Sequence, residues 1–141
     1  MSLARGFSLI ELVVVLVLAG ILAALAIPRF TSTESSATWY AEQVKAAARY
    51  AQRQAVAQRR NVYVRVQSNE VDICYDSGCT TPASFLSLPG TTSAYILPTP
   101  SGVTLTAMTF WFNSLGQPSG TLPSNIAGHP ITVEVETGYV H

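Results

Sequence analysis

RGFSLIELVVVLVLAGILAALAIPRF, residues 5–30, is an apolar run broken near its start by one acid, Glu11. From Phe7 to Ile27 it counts 21 residues. As a helix this is about 31 Å at 1.5 Å per residue, the thickness of a bilayer's hydrocarbon core. Arg5 precedes the run and no acid does, so the positive-inside rule leaves the N-terminus in the cytoplasm. Everything beyond Ile27 is then periplasmic or extracellular. A cleaved secretory signal has a shorter apolar region ending in small residues. "AALA" at 23–26 offers such residues, but Pro28 and a helical continuation follow. Neither a cleaved signal nor a plain anchor explains Glu11, because an ionisable group within a span costs free energy and marks function.

This stretch resembles the N-terminus of the type IV pilin superfamily, which includes the pseudopilins of type II secretion. The family pattern is a short basic leader ending in glycine, then an aromatic residue, a hydrophobic helix with an early glutamate, and a proline further along. Gly6, Phe7, Glu11 and Pro28 occupy those places without a gap. The resemblance implies a leader at 1–6, removed by a prepilin peptidase that cuts between Gly6 and Phe7 and N-methylates Phe7. It makes 7–27 the transmembrane and assembly helix. Cleavage creates a cationic amine at Phe7, and Glu11 stands one helical turn away. Apolar contact is non-directional and leaves the axial register of packed helices poorly fixed. A charge pair between Glu11 and an amine would set that register. The amine belongs to a neighbouring subunit or to Glu11's own helix.

The whole chain has 141 residues, eight basic and eight acidic side chains, and only 11% charged residues against 48% hydrophobic. One domain is expected beyond the membrane segment. The balanced charge gives no reason to expect nucleic acid or an acidic substrate as the overall partner. Pro28 ends the span by kinking or opening the helix, and 28–60 continues as an amphipathic helix. Ala37, Tyr40, Ala41, Val44, Ala48, Ala51 and Ala55 recur at three- and four-residue steps and form its inward stripe. Lys45, Arg49 and Arg53 make a basic row, read as a solvated or subunit-facing side, and Arg59 with Arg60 suit the last turn.

From Asn61 the period changes to two. "NVYVRV" and "EVDICY" read as a hairpin, and 80–102 as a long loop holding a short apolar "YIL". "VTLTAMTFWF" reads as strand, "NSLGQPSG" as turn, and "PITVEVETGYVH" as a final alternating strand with a turn at Thr137–Gly138. The expected fold is α+β and pilin-like: a long N-terminal helix, membrane-spanning in its first half, packed on an antiparallel β-domain at 61–141. Cys74 and Cys79 are too few for a structural zinc site. A disulfide around the turn-forming "DSG" suits a domain outside the cytoplasm, where so short a loop contributes about 2 kcal/mol. The alternative is two free, partly buried thiols.

"MTFWFNSLGQPSG" followed by "ITVEVETGYVH" is similar to the C-terminal domain shared by minor pilins and minor pseudopilins, with Phe112, Gly116 and Gly138 at its turn positions. "IPRF" and the terminal "GYVH" also resemble the mannose-sensitive haemagglutinin type of minor pilin. The resemblance implies a minor pilin-like structural subunit of a type IV pilus. Its partners would be other pilin or pseudopilin subunits, the prepilin peptidase, an inner-membrane assembly platform and, before assembly, membrane lipid. The alternatives are a minor pseudopilin of type II secretion and a DNA-binding pilus component, for which the Lys45–Arg49–Arg53 row is the sole motive. The basic C-terminal element through which some relatives contact DNA is not evident here. No enzyme, metal or cofactor is expected: the chain lacks GxSxG, HExxH and P-loop motifs, and nothing in the sequence joins His129 or His141 to a nucleophile. Trp39, Tyr40 and Trp111 read as core or interface anchors.

Overall fold

The computed structural model describes residues 8–26 and 33–141. Gly6, Phe7 and Pro28, with the expected cleavage point and kink, lie outside them. Helix α1 runs Leu9–Ala26. The Ser8 carbonyl opens it, accepting from the amides of Glu11 and Leu12. Its apolar side chains from Leu9 to Leu22 are exposed, including all five from Val13 to Val17. A helix apolar on all sides needs a surrounding other than water. Among the described residues no helix is long and apolar enough to cross a membrane. Helix α1 itself counts 18 residues, and the expected span at 7–27 extends beyond the described positions.

Helix α2 runs Thr33–Gln58. It ends where Arg59 turns left-handed at φ 50°. There the Arg60 amide reaches back to the Ala55 carbonyl and the Arg59 amide to Val56. This is the paired closure of a Schellman motif, with arginine in the place glycine usually takes. The buried stripe is Tyr40, Ala41, Val44, Ala47, Ala48, Ala51 and Ala55. Ala37, expected within it, is half-buried. Alanine at most of these positions makes the stripe shallow, so larger side chains of the sheet fill the contact.

The sheet comprises β1 (Val62–Val66), β2 (Glu70–Cys74), β3 (Ile96–Pro98), β4 (Met108–Phe112) and β5 (Pro118–Gly120). Its order is β3-β2-β1-β4-β5, and every pairing is antiparallel. Val64 stands opposite Ile73 on one side and Phe110 on the other. Val62, Val64, Val66, Val71, Ile73, Phe110 and Phe112 form the core with the α2 stripe. A separate two-stranded hairpin pairs β6 (Asn125–Ile126) with β7 (His129–Pro130).

Four stretches differ from their sequence reading, the first being "VTLTAMTFWF", in which only Met108–Phe112 is strand. The expected loop at 80–102 contains a 3-10 turn at Pro82–Ser84 and supplies β3 as an edge strand. The Tyr40 hydroxyl donates to the Leu97 carbonyl at 3.2 Å, fixing that edge, and Pro98 is tolerated on an edge strand, where a missing N–H need not break the ladder. The turn after β4 yields a strand at once, because β5 pairs back on Phe110–Phe112. The final "PITVEVETGYVH" does not form a long strand; only Val133 and Val140 make a bridge. Ile131 and Val133 point inward as the alternation requires. The chain then reverses, with the Gly138 amide donating to Glu134, and leaves Val135 in solvent.

Candidate functional site

Glu11 lies in the first turn of α1 and is exposed. Ser8 and Glu11 have the spacing of a capping box, in which the acid also complements the helix dipole by about 0.3–1 kcal/mol. Nothing in the sequence reading assigned Glu11 this local role. The one acid of the described segment therefore stands at the positive end of an otherwise apolar helix. There it can accept a hydrogen bond from, and neutralise, an amine brought to that end.

Of the three turn positions of the C-terminal half, Gly116 and Gly138 pack on each other and Phe112 lies in the core. Phe112 is fully buried, with its ring edge-on to Phe110 at 5.8 Å between centroids. Gly116 and Gly138 both have positive φ, at +82° and +69°. They meet back to back: a Cβ on Gly138 would stand 2.0 Å from the Gly116 carbonyl oxygen. Gln52 of α2 clasps both turns, its amide donating to the Gly116 carbonyl at 3.1 Å and the Thr137 carbonyl at 2.7 Å. Arg49 donates to the Val140 carbonyl at 2.9 Å. Asn113 shapes the first turn by accepting from the amides of Leu115 and Gln117. Gln52 was invisible in the sequence, where it was one polar residue of a polar helix.

The basic row is engaged within the chain. Lys45 pairs with Glu42 at 2.9 Å, Arg49 holds Val140, and Arg53 donates to the Arg49 carbonyl at 3.3 Å. Tyr40 is buried, and burial pushes its hydroxyl above the ordinary value against the hydrogen bond to Thr99. Trp111 packs on Tyr63 and lies over Gly120, while Trp39 is exposed. His129 touches the Thr38 hydroxyl at 3.2 Å, and His141 faces Glu134 at 3.3 Å and stacks on Tyr139. Among the described residues no group of three His, Cys, Asp or Glu side chains is placed to hold a metal.

Cys74 and Cys79 are joined, with their Cα atoms 5.6 Å apart. Asp76 organises the loop between them, its carboxylate accepting from the amides of Gly78 and Cys79. Burial raises the Asp76 carboxyl, but hydrogen bonds from Ser84 and the amides of Cys79, Gly78 and Thr80 outweigh it and hold it below the usual value.

Residues 1–27 match the prokaryotic N-terminal methylation motif. The match covers the segment that resembles the N-termini of type IV pilins and pseudopilins. A motif of this kind is the one that a prepilin peptidase processes in pilin-like subunits, which supports a pilin- or pseudopilin-like reading of this N-terminus. The α+β layout of a long N-terminal helical part and an antiparallel sheet is pilin-like too. No curated protein and no solved structure matches the chain.

Proposed function

We infer that the protein is a minor pilin-like structural subunit of a type IV pilus and does no catalysis. The observation that carries this reading is the pairing of a pilin methylation motif with a helix α1 that is exposed, apolar on all sides and acidic only in its first turn. Such a helix suits lipid before assembly and other apolar helices afterwards. Phe112 in the core, and Gly116 and Gly138 joined by Gln52 of α2, support the minor-subunit assignment through their resemblance to minor pilins and minor pseudopilins. The processed chain is held in the inner membrane with its C-terminal domain in the periplasm, and passes from there into the filament. Internal engagement of Lys45 and Arg49 weakens the case for phosphate binding through that row, since such binding needs several contacts.

Deleting the gene tests the assignment. The expected result is a severalfold loss of surface pili, restored by the wild-type chain, with protein secretion unchanged. Normal piliation with secreted proteins retained in the periplasm would replace the pilus reading with that of a secretion pseudopilin.

A further inference from the structure

Arg65 and Asp72 face each other across β1 and β2. Their neighbours Val64, Val66, Val71 and Ile73 point toward α2, so the pair sits on the opposite, outer face of the sheet. Outer-face positions are ordinarily wet. Asp72 nevertheless has no exposed surface. The loop 75–79 borders the pair, together with Gln67 and the edge strand β3. The loop folds back over the outer face, where the Gly78 carbonyl accepts from Arg65 Nη1 at 2.7 Å. Arg65 Nε and Nη2 and Gln67 Nε2 all donate to one oxygen, Asp72 Oδ2. The other oxygen, Oδ1, is buried without a hydrogen-bond partner among the described residues.

A buried carboxylate oxygen with no donor is costly, and water reaching it would remove that cost. Asp76 preforms the turn, but a turn alone does not bind the loop to the sheet. The covalent tie is the bond from Cys74, the last residue of β2, to Cys79, beside the hydrogen bond from Arg65 to the Gly78 carbonyl.

The geometry points to a redox latch: the Cys74–Cys79 disulfide keeps the 75–79 loop on the outer face and thereby keeps Asp72 buried against the half-buried Arg65. Closing the latch takes two protons and two electrons from the two thiols. A small-molecule or protein disulfide accepts them and leaves as two thiols; opening is the reverse exchange with a thiol reductant. On the proposed location outside the cytoplasm, on which the biological role rests, the chain gains its closed outer face only after it meets an oxidising compartment. Linkage makes the coupling reciprocal. If the disulfide favours the closed pair, the pair favours the disulfide by the same factor.

That reciprocity is measurable on the purified full-length chain in detergent micelles, independently of whether it enters a filament. The chain is equilibrated with mixtures of reduced and oxidised glutathione, and the bonded fraction is read by alkylation and mass spectrometry. Arg65→Met and Asp72→Asn should each shift the equilibrium toward the dithiol by roughly tenfold. Gly138→Ala, which disturbs the remote glycine contact, should leave it unchanged. In the wild type, reduction should speed hydrogen exchange at the Gly78 and Cys79 amides at least about tenfold, while Val64 and Val71 stay protected. Shifts below about twofold for both Arg65→Met and Asp72→Asn would overturn the latch, since a coupling that small lies under the usual range. An equal shift for Gly138→Ala, or uniform loss of protection across the sheet on reduction, would overturn it too, because the disulfide would then be a general crosslink.

Discussion

Glu11→Leu is expected to remain in the membrane, to be processed, and to be nearly absent from filaments. Insertion survives because an apolar side chain replaces a costly one. Cleavage survives because it is set at Gly6. Assembly fails because the amine at Phe7 enters an apolar bundle without a counter-charge. Breaking a buried pair on one side costs about 3–5 kcal/mol, a hundredfold or more in incorporation. Because Ser8 and Glu11 also have capping-box spacing, a second variant is needed to separate the two roles. Glu11→Gln can keep the box but not the charge. It should therefore fail almost as badly as Glu11→Leu, whereas Glu11→Asp, charged but shorter, should be intermediate. The measurement is processed protein in the sheared filament fraction relative to the membrane. Wild-type incorporation of Glu11→Gln would assign Glu11 to helix capping, and wild-type incorporation of Glu11→Leu would contradict the charge-pair account.

Gly138→Ala should be the most damaging single-methyl change in the β-domain. The added carbon would lie 2.0 Å from the Gly116 carbonyl oxygen and 2.6 Å from Gln52 Nε2. Both neighbours are fixed, one by its own turn and the other by α2, so one turn must shift and the Gln52 clasp must open. Together with the left-handed backbone at φ +69°, the loss should be about 2–4 kcal/mol. In a domain of this size that lowers Tm by roughly 10 °C or more. Gly90→Ala is the control: Gly90 also has positive φ, at +77°, but a Cβ there would meet nothing within 4 Å. Its cost should stay near 1 kcal/mol. Thermal unfolding followed by circular dichroism compares the two, and equal losses would mean that backbone strain alone matters at Gly138.

The parts of the molecule with regular periodicity were legible in the sequence. The inward stripe of α2 and the β1–β2 hairpin followed from spacing, because burial on one face imposes a repeat of 3.6 or 2, while the turn glycines followed from turn composition and the family resemblance. The boundaries were less so. Helix α2 ends at Arg59 through backbone hydrogen bonds that the residue type does not announce. Strand β3 escaped notice because three residues ending in proline make a weak pattern, and only the free edge of β2 and the Tyr40 hydroxyl define it. The alternation of Ile131, Val133 and Val135 promised more strand than there is, since the reversal that follows leaves the third residue in solvent. At the site, Glu11 stood out because a charge in an apolar run is conspicuous. Gln52, Arg65 and Asp72 did not, because their roles exist only once the turns and the disulfide loop are folded over them.

Everything assigned to the N-terminal helix depends on processing at one peptide bond. Intact-mass and N-terminal peptide mass spectrometry of the mature protein, taken from the membrane and from sheared filaments, reads it directly. The account predicts a chain beginning at Phe7 with one methyl group on its α-amine. A mature chain that begins at Met1, or near Ala26 as a secretory signal would leave it, would contradict it.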